Sequence, residues 1–319
     1  MRRLLHIVAV ACVAGSLAIV LAWRYGETVL PFAVTSATPN PQDGKVAGGV
    51  YSNAYFDLSY PLPQGFAEGL AGPDPSDSGY YVLGNFVPQA APTGTILIAA
   101  QDMFFAGPQR DLATAARDFR EAISQVDGMS IDREPTEVTI ADRSTWRVDF
   151  SGVGLYRAIV VTEIRCHLVS VTLTTRSPDE REALVQSLDR LASIGKRAAP
   201  VCIRDYAADE QVVHKVEPAE LSSSPMSIPV RIIVNSDGTV KHVHVIRAPE
   251  AQRKTIEDAL RQWTFKPHTI AGQPVEMETG LAFGGSRKVS GADRESGAEL
   301  RDTDLTQRRA RRGSGQSPQ

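Results

Sequence analysis

Between Pro229 and Phe283 the chain alternates in a way that leaves little freedom. Val230, Ile232 and Val234 alternate with Arg231, Ile233 and Asn235; Ser236-Asp237-Gly238 supplies a turn; Val240, Val243 and Val245 follow in a second β-branched run. Successive side chains of a strand point to opposite faces, so this is the pattern of a hairpin with one buried face. Glu257–Gln262 reads as a short helix, with Ile256, Ala259 and Leu260 on an inward stripe. Trp263-Thr264-Phe265-Lys266-Pro267 ends it, because the residue before a proline disfavours the helical region. Pro274–Phe283 then offers a third strand.

The order Asp237-Gly238, then Trp263-x-Phe265-Lys266-Pro267, then Gly272-Gln273-Pro274-Val275 resembles the C-terminal domain of TonB, the bacterial energy transducer. The lead-in His214-Lys215-Val216-Glu217-Pro218 extends the likeness upstream, giving a TonB-like domain over residues 200–285. Ala219–Ser224 and Ala248–Gln252 depart from the family's usual residues at those places. The resemblance implies a small sheet of two or three strands with a helix, in which Asp237, Gly238, Trp263, Phe265, Lys266 and Pro267 are structural. A small sheet ending in an unpaired strand presents open N–H and C=O groups, so a partner is expected to bind by β-strand addition. The strand near Pro274–Ala282 is the expected edge, with Gln273, Val275, Met277 and Thr279 as contact residues.

Upstream, Leu4–Trp23 is apolar apart from His6, Gly15 and Ser16, about twenty residues or roughly 30 Å of helix, one hydrocarbon thickness. It ends Leu21-Ala22-Trp23-Arg24, without a small-x-small cleavage site, so residues 1–24 read as an uncleaved anchor. Arg2 and Arg3 hold the N-terminus in the cytoplasm and place the bulk of the chain in the periplasm, as a single-pass inner-membrane protein. TonB-type anchors resemble one another in a Ser-x-x-x-His motif; here Ser16 is followed four positions later by Val20, which speaks against energy transduction. Residues 25–49, rich in Pro, Gly, Thr and Ser, read as a flexible linker.

Residues 50–196 carry strand-length apolar runs at Gly79–Val87, Thr95–Ala100, Glu137–Ile140, Thr145–Phe150, Tyr156–Ile164 and Leu168–Thr174. A helix is expected from an Asp111 N-cap to Gln125, and another from the capping box Ser177-Pro178-Asp179-Glu180. The whole is α+β, an antiparallel sheet closed on one side by two helices. The Tyr55-Phe56 pair, the Pro63-Gln64-Gly65-Phe66 turn and the order of elements resemble the PsbP-like fold, which implies a non-catalytic extracytoplasmic binding module. Residues 286–319, with Arg308-Arg309-Ala310-Arg311-Arg312, have too little apolar surface to offset chain entropy and read as a disordered tail.

Of the three cysteines, Cys12 lies in the apolar run; Cys166 and Cys202 can form one disulfide in an oxidising compartment or remain two buried thiols. Cys166-His167 cannot be a nucleophile and its base if adjacent strand residues point to opposite faces. His242-x-His244 has a metal-binding spacing, but with Val243 and Val245 claiming the buried face it reads as a solvated pair. A net charge of −3 gives no reason to expect nucleic acid. No catalytic, metal or cofactor signature appears, so the expectation is a non-enzyme that binds an envelope protein or peptide strand, and the resemblance implies a place in TonB-type transport. The alternative is an envelope scaffold that dimerises through the same domain.

Overall fold

The computed structural model describes residues 39–90, 94–105, 111–194, 199–208, 210–219, 221 and 227–284. The expected anchor, most of the linker, and the tail with its arginine cluster lie outside them. Among the described residues no helix is long and apolar enough to cross a membrane.

Strands β1 (Gly44–Ala47), β2 (Val50–Asn53) and β3 (Leu58–Pro61) form a small antiparallel meander, so the expected linker gives way to paired backbone at Gly44. A seven-stranded sheet follows, built from β4 (Phe66–Glu68), β5 (Tyr80–Pro88), β6 (Thr95–Asp102), β7 (Met129–Ile140), β8 (Arg143–Gly152), β9 (Leu155–Ile164) and β10 (His167–Thr175). Its order is β4-β5-β6-β10-β9-β8-β7, antiparallel throughout. Helix α1 (Leu112–Ser124) is capped by Asp111, whose carboxylate accepts from Thr114 N–H, and α2 (Pro178–Ser187) by Ser177, which accepts from Glu180 N–H. Both caps sit where the sequence puts them.

The helices do not share one side of the sheet, as expected, but lie on opposite faces. Ala116 and Ile123 of α1 pack with Val148, Phe150, Ile159 and Val161, while Leu184 and Val185 of α2 pack with Ala158, Val160 and the residues of β6 and β10 that point the same way. The central strands are apolar on both faces, so each face needs a cover. The meander covers the rest of the α2 face through Tyr51, Leu58 and Tyr60.

The C-terminal body consists of β11 (Val201–Cys202), β12 (Val212–His214), β13 (Ile228–Val234), β14 (Val240–Val245), α3 (Glu250–Leu260), β15 (Thr264–Phe265), β16 (Thr269–Ile270), β17 (Gln273–Pro274) and β18 (Met277–Phe283). The helix begins at Glu250, earlier than the expected Glu257. The motif residues meet each other. Gly238 has φ +88, and a methyl there would collide with the Phe265 carbonyl, whose own N–H donates to the Gly238 carbonyl at 2.8 Å. Trp263 is buried beside Phe265 and donates from Nε1 to the Val216 carbonyl at 2.7 Å, while the Lys266 carbonyl accepts from Tyr206. Lys266 and Pro267 are exposed, as is Asp237, whose carboxylate accepts from Thr239 and is held below its ordinary range by that bond.

Candidate partner-binding edge

The C-terminal sheet has four strands, not two or three, in the order β11-β18-β13-β14. Strand β18 is therefore interior at its start, flanked by antiparallel β13 along its whole length and by parallel β11 at Met277 and Glu278. From Thr279 to Phe283, among the described residues, its outer side has no strand partner. This corrects the expected contact set. Met277 and Thr279 are buried side chains of the core, and Gln273 belongs to the separate β16–β17 hairpin with Pro274. Val275 donates its N–H to the His268 carbonyl. What remains open is main chain, near exposed Ala282.

Both faces of this sheet are covered, against the expectation of one. Val230, Ile232, Val234, Val243 and Val245 pack with Ile256 and Leu260 of α3, Trp263 and Phe265. On the other face, Arg231 stands opposite His244 and Gly280, and Ile233 opposite His242 and Glu278. This second face meets the seven-stranded sheet where Tyr81, Asp102 and His167 project. From Pro41 onward both bodies belong to one compact unit.

Their junction is charged and buried. Arg231, Asp102, Glu278 and His167 are each no more than 1 % exposed. Arg231 Nη1 donates to Asp102 Oδ2 at 2.6 Å, Nε to Glu278 Oε1 at 3.3 Å and Nη2 to the Arg165 carbonyl at 3.2 Å; its guanidinium lies 4.6 Å from the Phe104 ring centroid. Glu278 also accepts from Tyr55 Oη at 2.9 Å and Arg165 Nη2 at 3.2 Å, and Arg165 Nη1 donates to the Tyr55 carbonyl at 2.7 Å. Burial opposes the charge on Arg231, but Tyr55, Asp102 and Glu278 more than offset it, so the guanidinium stays ionised. Burial raises the Asp102 carboxyl above its ordinary range against the pull of Arg231. Two guanidinium groups against two carboxylates leave the cluster without net charge, which is how such a group of ions is held away from water.

The histidines differ from their expected roles. His244 is buried, and burial, with His242 and Arg231 nearby, pushes it down to about 3; His242 is half-buried and lowered mainly by burial. Neither is a solvated surface group, because the second face of β14 is covered too. His167 Nδ1 lies 2.7 Å from the Arg165 carbonyl, which can only accept, so Nδ1 carries the proton and Nε2 faces Asp102 at 3.8 Å. Burial holds this ring neutral, well below its ordinary value. Tyr81 Oη, His167 Nε2 and His244 Nε2 have no protein hydrogen-bond partner. Among the described residues no group of three or more His, Cys, Asp or Glu is placed to hold a metal.

Cys166 is not on a strand. Arg165 and Cys166, at φ +49 and +58, form the two-residue turn between β9 and β10. Cys166 is bonded to Cys202, with Cα atoms 5.7 Å apart, so its sulfur is no free nucleophile; the disulfide alternative left open by the sequence is the one realised. The bond ties the first body to β11. Sequence reasoning missed Arg231, Glu278, Asp102, Arg165 and Tyr55 as a set, since they lie far apart in the chain. An arginine in the centre of a Val/Ile run is the one signal that could have raised the question.

No protein-family model and no curated protein matches this sequence, so the TonB resemblance stands without a matching family model. Similar solved structures include PsbP from Synechocystis sp. PCC 6803, at 14% identity and TM-score 0.35 over 47% of this chain and 98% of that one. The Ran-binding protein Mog1p from Saccharomyces cerevisiae matches at 11% and 0.32, over 43% and 90%. LpqN from Mycobacterium tuberculosis, involved in cell envelope biogenesis, matches at 16% and 0.28, over 42% and 78%.

Proposed function

We propose that this chain is an envelope recognition protein, anchored in the inner membrane by Leu4–Trp23, that takes up an extended strand of a partner protein along the outer side of β18 at Thr279–Phe283. The observation that carries the reading is that unpaired run of main chain at the margin of a well-packed sheet, since open N–H and C=O groups are a template for an added strand. The Cys166–Cys202 bond supports an oxidising compartment such as the periplasm. Recognition needs no catalytic group, and energy coupling is no part of the reading, because the anchor lacks the Ser-x-x-x-His pattern.

A photo-crosslinking residue at exposed Ala282, in the full chain in its membrane, tests it. Capture of a different envelope protein is the expected result. Capture of a second copy of this chain points to the dimerising scaffold instead, and a size that grows with concentration would agree. Capture of nothing overturns the proposal.

A further inference from the structure

We propose that the Cys166–Cys202 disulfide is a redox latch that sets the length of the open edge on β18, an inference that rests on the strand-addition reading above. Strand β11 is the only neighbour covering the start of that edge among the described residues, and it is two residues long. Its ladder to β18 consists of Val201 N–H to the Glu276 carbonyl at 2.9 Å and Ile203 N–H to the Glu278 carbonyl at 3.0 Å. Two such bonds contribute less than the ordering of the segment's backbone costs. Val201 is only half-buried and Cys202 is exposed, so apolar packing adds little. The disulfide is then what holds Val201 and Cys202 in place.

Downstream the chain is secured independently. The Arg204 guanidinium donates to the Met103 carbonyl, and Tyr206 is buried. Breaking the disulfide therefore frees the segment up to Ile203, whose bond to the Glu278 carbonyl is the second rung, while Arg204 acts as the hinge. The open run of β18 lengthens from Thr279–Phe283 to Met277–Phe283, seven residues or roughly 23 Å of strand.

The chemistry is a thiol–disulfide exchange with a dithiol reductant. One thiolate of the dithiol attacks Sγ of exposed Cys202, the S–S bond breaks, and Cys166 leaves as a thiolate that takes up a proton. The second thiol of the dithiol then attacks the mixed disulfide and releases Cys202. Two electrons pass to the latch and the dithiol becomes a disulfide. Cys166, at 3 % exposure, is shielded from direct attack, so Cys202 is the sulfur that reacts.

Amide hydrogen exchange on the full chain, with and without dithiothreitol, tests the latch. Reduction should raise exchange at Val201 at least tenfold, leave Ile232 in the sheet centre unchanged, and admit a labelled peptide of residues 199–204 carrying Cys202→Ser, which the oxidised protein refuses. Val201→Pro removes the first ladder bond with the disulfide intact. It should leave the oxidised protein folded and still refusing the peptide. Unchanged exchange at Val201 and no peptide uptake after verified reduction overturn the latch. Crosslinking at Ala282 keeps the two ideas apart: capture of a partner that ignores reductant, with unchanged exchange, defeats the latch and keeps the strand-addition reading. Absence of capture in both redox states defeats that reading while exchange still decides the latch.

Discussion

Strand β13 is buried on both sides, and the two sides are buried by different physics. One presents Val230, Ile232 and Val234 to α3, Trp263 and Phe265; the other presents Arg231 to Asp102, Glu278 and the Arg165 carbonyl. The apolar side is non-directional and tolerates small losses of volume. The charged side is favourable only while every ion keeps its partners, because a desolvated charge left alone is far more costly than a missing methylene. The C-terminal body is thus glued to its own helix by area and to the first body by a matched set of charges.

The comparison can be broken most strongly at Arg231. Replacing it with Met strands Asp102 and Glu278, and the chain should lose about 3–5 kcal/mol in urea unfolding with the disulfide intact. If all four ions, Asp102, Arg165, Arg231 and Glu278, are exchanged together for Leu or Met, most of that loss should return; a loss as large as that of the single change would defeat the matched-charge account.

Next in size is the covalent tie between the same two bodies. Cys166→Ala with Cys202→Ala opens a loop with a sequence separation of 36, worth roughly 4 kcal/mol on the chain-entropy model. Equal melting temperatures for the double variant and the oxidised parent would contradict it.

Acid should weaken the charged side selectively. His244 is held neutral in the folded chain down to about 3, while the unfolded chain takes up the proton near 6.5. Its contribution is therefore fully present above pH 6.5 and is lost as the pH falls from there towards 3, about 2 kcal/mol by pH 5. Stability measured across that window should slope less steeply in a His244→Phe variant, and parallel slopes would remove His244 from the account. The smallest effect belongs to the apolar side. Ile232→Val should cost about 1 kcal/mol at any pH in that range.

Much of the first body was legible in the residues. The strands of the large sheet and the Asp111 and Ser177 caps follow from local pattern, since a cap or a β-branched run acts within a few residues. The hairpin turn at Asp237-Gly238 is equally local. The candidate edge was legible only in outline. Pro274–Phe283 reads as a strand, but nothing in that stretch reveals that Val201 and Cys202 return to pair with its start, or that Met277 and Thr279 point inward.

By itself, then, the sequence determined the main strands of the large sheet, the helix caps at Asp111 and Ser177, and the hairpin turn at Asp237-Gly238. Tertiary structure alone decided that the helices of the first body take opposite faces, that Arg231 and His244 are interior, and that Cys166 pairs with Cys202. The reason is range: periodicity and capping act between neighbours in the chain, whereas a face is buried or open only according to what arrives from residues a hundred or more positions away, as Asp102 does for Arg231.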